Sequence, residues 1–304
     1  MPNQEQNNAV ALEVVSFNGW ENSLHLANRE IELVVTTDVG PRVVRCGFRN
    51  GPNLFAEIAG QQGGSNEPEW MIRGGHRFWA APEEKPATYE LDNTPVPWTV
   101  CANGVILDQP PGPLTGLSKQ LRIVLSGGAN RVELRHTLTN TGRQPREVAP
   151  WALSVMAPLG FLVVPLPAKI AHADRLTHNQ NWSIWGYTDF ADGRWRLQRD
   201  YLQFSHDPRC GPGKIGLAHR EGWVAYHLPG GLFVKRFDWQ EGAIYPDGNV
   251  NFEAFANEDF FEVESLGPMT RLMPGDAVSH QEIWEIHPPL AQPAPEAVLE
   301  YLGR

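Results

Sequence analysis

The chain has 304 residues, 41% of them hydrophobic and 20% charged, which excludes a disordered segment and is enough to fill one large core. Its 29 Gly and 26 Pro follow no triplet period, which excludes collagen and implies many turns. The formal net charge of −10, without basic runs, argues against nucleic acid and anionic membranes as partners.

The first ten residues, MPNQEQNNAV, have neither a basic nor an apolar region, so no signal peptide is expected. Strand-like runs then follow: ALEVVSF (11–17), IELVVTT (31–37), PRVVRCGF (41–48), KQLRIVLS (119–126), RVELRHTLT (131–139) and REVAPWALSVM (146–156). They alternate or are β-branched. KIGLAHR (214–220), GWVAYHL (222–228), GLFVKRF (231–237), NVNFEAF (249–255), DFFEVES (259–265) and AVSHQEIWEIH (277–287) continue the pattern. Asn103-Gly104, Glu221-Gly222, Pro229-Gly230-Gly231 and Asn257-Glu258-Asp259 read as hairpin connections. Only the tail, PEAVLEYLG (295–303), reads as a short helix, with Pro295 suited to its first turn. About twenty short strands with tight turns and no interleaved helices predict an antiparallel all-β protein of two sheets packed face to face. No repeat or linker divides the chain, so residues 1–304 are expected to form a single domain. No apolar stretch reaches about 18 residues, so no membrane span is expected. Cys46, Cys101 and Cys210 are odd in number and widely spaced. They fit a reducing cytoplasm better than a disulfide framework.

Three groups of residues could carry chemistry. The densest is Met71–Trp79, which packs Arg73, Gly74, Gly75, His76, Arg77 and Trp79 together and is followed by Glu83. Glycines allow close backbone approach, guanidiniums offer a planar fork, and an indole can stack on the C–H face of a sugar ring. The alternative is a Gly-Gly bulge with exposed arginines and a core Trp. The second group is Tyr245-Pro246-Asp247-Gly248 with Glu253, Glu262 and Glu264. Period two puts Glu262 and Glu264 on one strand face, where a carboxylate can act as a base; the alternative is the solvent face of an edge strand. The acidic character concentrates here, since residues 241–304 hold 12 acidic and 2 basic side chains. The third group is aromatic, with Trp151, Trp182, Trp185, Tyr187, Trp223 and Tyr226 among strands that also carry Lys214 and Lys235. A Lys within an apolar strand points to solvent or to a partner. The ten histidines show no close ligand spacing, and the phosphate-binding and dinucleotide fingerprints are missing, so neither a metal nor a cofactor is expected.

Gly40-Pro41-Arg42, Gly51-Pro52-Asn53-Leu54-Phe55 and the run Arg73–Glu83 together resemble the galactose mutarotase (aldose 1-epimerase) superfamily, and more closely a mutarotase-like branch of it. Ala149–Leu153, Trp185–Asp189, Lys214-Ile215-Gly216, Tyr245–Gly248, Val263–Pro268, Leu272–Asp276 and Glu282-Ile283-Trp284 extend the similarity from about residue 30 to residue 287. The resemblance implies a β-supersandwich whose concave sheet holds a sugar. It also implies ring opening at the anomeric carbon by a late-strand Glu acting as base and a His acting as acid. Glu264, in Val-Glu-Ser, matches the base. Three departures are plain. Arg73-Gly74-Gly75 replaces His-Gly-Gly and is closer to the Arg-Gly-Gly of hexose-6-phosphate epimerases. Ala149–Leu153 lacks the family's His, and Lys214 stands where an Asp is usual. His76 is therefore the candidate acid. Arg73, Arg77, Lys214, Lys235 and Asp247 are candidates to hold hydroxyls or an anionic group, and Trp79 and Trp151 to stack on the ring. The expected ligand is a small sugar or sugar derivative, with anionic sugars favoured by the cations. The expected activity is an epimerase-like isomerisation. A non-catalytic sugar-binding protein and a hydrolase or lyase on the same body remain as alternatives.

Overall fold

Period-two alternation builds two antiparallel sheets. They are described here for residues 9–303 of a computed structural model. Across the first sheet run Ala11–Phe17, Trp20–Ala27, Ile31–Thr36, Arg42–Phe48, Gly75–Ala81, Arg146–Met156, Phe261–Leu266, Phe252–Ala256, Gly213–Leu217 and Trp182–Ile184, with Thr270–Leu272 paired to one end of Arg146–Met156. Across the second run Trp195–Leu197, Tyr201–Ser205, Phe161–Pro165, Trp223–Leu228, Gly231–Arg236, Ala277–His287, Arg131–Asn140, Leu117–Leu125, Gly104–Gln109 and Trp98–Cys101. The main core lies between them, where Leu33, Val43, Phe55, Leu121, Phe204, Phe233, Val263 and Trp284 are all at or near zero exposure. The C-terminal helix Pro295–Tyr301 presses Val298 and Leu299 onto Val163, Ala225 and Val234. That explains why those strands read as continuous apolar runs. Among the described residues, no helix is long and apolar enough to cross a membrane. The architecture is the all-β, antiparallel sandwich with a short C-terminal helix that the sequence predicts.

Two of the alternatives left open by the sequence are not found. In place of a Gly-Gly bulge with exposed arginines, the segment enters a central strand, Gly75–Ala81, paired on both sides, and Arg73 and Arg77 are buried. The two glycines make its entry possible. Arg73, Gly74 and Gly75 have φ of 54°, 92° and 71°, and a Cβ on Gly75 would stand 2.3 Å from Val43 O. The fully buried Arg42 fastens this entry by donating to Ile72 O at 2.8 Å and to Gly74 O at 2.9 Å, with Asp92 as its counter-ion at 2.9 Å. Likewise Phe261–Leu266 is an interior strand buried along its whole length, and not an acidic edge.

Candidate functional site

Five adjacent strands of the first sheet place the site, and their register explains which side chains meet. One lateral row on the outward face reads Arg77, Leu153, Glu264, Glu253; the next reads Val155, Glu262, Phe255, Lys214; a third pairs Trp79 with Trp151. Above these rows opens a hollow of about 320 Å³, within the range of small-molecule sites, which run from about 300 to 1,000 Å³. Trp70, Trp79, Tyr89, Trp151, Tyr187, Phe255 and Phe260 supply most of its wall, and Arg77, Lys214, Glu83, Glu262 and Asn257 supply its polar groups.

Each cation is already engaged. Arg77 donates through Nη1 to Glu262 Oε1 at 2.6 Å, and its guanidinium lies 4.3 Å from the centre of the Trp79 ring. Lys214 Nζ stands 2.6 Å from Glu253 Oε2 and 3.2 Å from Glu264 Oε2, between the rings of Trp151 and Trp185 at 4.8 Å each. Trp151 Nε1 donates to the same Glu264 oxygen at 2.8 Å. Glu264 is therefore fully buried behind an indole and an ammonium and is not part of the hollow's lining, whereas Glu262 is. Burial raises the Glu262 pKa against the pull of Arg77, and Glu264 adds to the rise. Burial also holds the Glu253 carboxyl well above its usual range, Lys214 opposing and Glu264 and Asp247 reinforcing. Burial would lower the Lys214 pKa, but Glu264 and Glu253 more than reverse this, so it stays an ammonium. Tyr187 is pushed up to about 12, chiefly by burial.

Of the residues singled out from the sequence, Arg77, Trp79, Glu83, Trp151, Tyr187, Lys214 and Glu262 come together around the hollow. Glu264 lies beneath it. The others do not line it. Successive side chains of a strand face opposite ways, so Arg77 turns outward and His76 turns into the sandwich. There His76 Nδ1 meets Ser154 Oγ at 2.9 Å and Nε2 meets His136 Nε2 at 2.8 Å. Burial keeps its pKa well below 6.5, so the imidazole is neutral and remote from any ligand in the hollow. Arg73 is buried against Glu67, to which it donates at 2.6 Å, and against Gln61 O. Lys235 also faces inward, donating to Val263 O at 2.8 Å beside Glu282 Oε1 at 2.8 Å. Asp247 occupies a left-handed turn position, φ 52°, outside the lining. The surplus of cations expected to favour an anionic sugar is therefore not found.

His76, His136 and Glu282 bring ligand atoms within 4.8 Å of one another, a grouping that could hold a metal among the described residues. Its chemistry fits an internal ion cluster better. Lys235 already supplies the positive charge, Ser265 Oγ donates to Glu282 Oε1 at 2.6 Å, and Trp284 Nε1 donates to Oε2 at 2.8 Å. Trp70, Tyr89, Asn257 and Phe260 were not legible as site residues. They sit on connections where no period predicts facing. Phe255 could have been found, because it pairs directly with Lys214.

A scan against family models found no match, and neither did a search of the curated proteins. Solved structures do match. A putative mutarotase (YeaD) from Salmonella typhimurium is 9% identical, with 91% of this chain and 94% of that one covered at a TM-score of 0.58. A galactose mutarotase-like protein from Clostridium acetobutylicum is 8% identical over 93% and 100% at 0.56, and one from Lactobacillus casei ATCC 334 is 11% identical over 88% and 100% at 0.54. At such identities the likeness speaks for architecture: the chain has the galactose mutarotase-like fold.

Proposed function

We propose that this protein binds a single sugar ring in the hollow of its first sheet, and that binding rather than epimerase chemistry is its task. One observation carries this reading: the hollow is walled by aromatic rings, offers hydrogen-bonding groups at its base, and has no imidazole in its lining. Aromatic walls suit the C–H faces of a sugar, and Arg77, Glu262 and Asn257 suit its hydroxyls. Protein-detected titration with a panel of aldoses is expected to show saturable binding, lost in Trp79→Ala, with no acceleration of anomer exchange by NMR. The reading fails if no aldose or derivative binds.

A second reading is favoured by the placement of Glu262. This carboxylate reaches the hollow and keeps its proton affinity high, as a base for anomeric proton removal must. On that reading the protein is an epimerase-like isomerase with Glu262 as base in place of Glu264. Accelerated anomer exchange that disappears in Glu262→Gln would establish it. On either reading the chain acts as one domain, and the free thiols of Cys46, Cys101 and Cys210 support a cytoplasmic setting.

A further inference from the structure

Resting on the sugar-binding reading, we infer that the ligand of the hollow is an amino sugar carrying a protonated amine, rather than a neutral or acidic sugar. The charge count around the hollow is the first observation. Glu83 and Glu262 line it, Glu264 lies beneath on the same sheet face beside Glu253, whose proton affinity burial raises, and Arg77 and Lys214 are the cations among the lining residues. Lys85 lies over Tyr89 at 5.2 Å without joining the lining, and Asp247 adds a further negative charge close enough to act on Glu253. Lys235 is on the other side of the sheet and is matched by Glu282.

The second observation is independent of that count. Glu264 Oε1 and Glu253 Oε1 are buried without a hydrogen-bond partner, although carboxylate oxygens so placed ordinarily accept one. A positive charge entering above them offsets this deficit through space, and an acidic ligand deepens it. Burial is the main cause of the raised proton affinity of Glu253 and Glu262, and the neighbouring Glu264 carboxylate adds to it in both. The walls are suited as well. Among the described residues no side-chain cation lies over Tyr187, Phe255 or Phe260, in contrast to Trp79 and Trp151, and aromatic rings attract an ammonium.

The experiment is calorimetric titration of the full chain with glucosamine, galactosamine and mannosamine. Each is compared with its uncharged parent aldose, with its N-acetyl derivative and with glucuronate, at low and at high salt. At least one amino sugar is expected to bind about tenfold or more tighter than its parent. Acetylation should abolish that advantage, glucuronate should bind weakest, and added salt should narrow the gap. The variant Glu83→Gln, which removes one negative charge from the lining, should shrink the preference for the amino sugar over its parent. The inference is overturned if neutral sugars or glucuronate bind as well as the amines, or if the N-acetyl forms keep the advantage. If no sugar binds at all, the underlying sugar-binding reading falls with it, and that result is distinct from a wrong charge preference.

Discussion

Replacing Lys235 by Met tests the ion cluster between the sheets. The ammonium is fully buried, 2.8 Å from Glu282 Oε1 and 2.8 Å from Val263 O. In the variant Glu282 keeps two neutral donors, Ser265 Oγ and Trp284 Nε1, but its charge is uncompensated. Removing one partner of a buried pair costs about 3–5 kcal/mol, a large part of a total stability of about 5–15 kcal/mol. A relief route exists, because His76 Nε2 lies 4.0 Å from Glu282 Oε2 and Lys235 is among the charges that oppose its protonation. Without Lys235 the imidazole can accept a proton as pH falls. The deficit of the variant against the natural protein should therefore be largest near pH 8 and smaller near pH 6. Urea unfolding followed by tryptophan fluorescence at both pH values measures it. A deficit below about 1 kcal/mol at both, or one that grows on acidification, would refute the cluster as an ion pair that carries stability.

Further expectations concern both faces of the first sheet. His76→Ala should leave the affinity for any ligand of the hollow unchanged within about twofold once folding is controlled for, because the imidazole faces the other way; a loss of tenfold or more would contradict that placement. In the natural protein burial depresses the His136 pKa to about 4 and that of His280 to about 3. Their stabilising contribution is therefore complete above about pH 6.5 and is lost as pH falls toward those values. Glu253 and Glu262, with raised values, act in the opposite sense over part of that window. Melting temperature should accordingly drop between pH 7 and 4.5, and His280→Gln should flatten the drop; an unchanged slope would count against this. Gly75→Ala should destabilise by about 2–4 kcal/mol in chemical denaturation, since its Cβ would meet backbone atoms at Val43 and Val44 and its φ is positive.

Strand pattern was legible from sequence because the core strands alternate or are continuously apolar: Ala11–Phe17, Arg146–Met156 and Ala277–His287 lie where their runs predicted. That Gly75–Ala81 is a strand was not legible, for a physical reason. Two glycines signal a turn, but here they are the left-handed entry into a strand, and once that is known the opposite facing of His76 and Arg77 follows. Pairing of Glu262 with Glu264 on one face was legible from period two. Which of them meets a ligand was not, because that depends on Trp151 and Lys214, remote in sequence, closing over Glu264. The ion cluster was equally hidden. His76, His136 and Glu282 come from strands of two sheets, and no spacing announces them.

The strand Phe261–Leu266 is tied on both sides of its pleat. Glu262 reaches the hollow and Glu264 lies beneath it on the same face, while the Val263 carbonyl and the Ser265 hydroxyl are bonded to Lys235, Glu282 and His280 inside the sandwich. A slip of one residue would exchange the two sets, placing carboxylates among imidazoles and leaving a valine beneath the hollow. The interior ions thus act as a registration key: they make the placement of the carboxylates on the hollow's side of the sheet all-or-none, whereas lining positions such as Glu83 and Tyr187 ride on connections outside that lock.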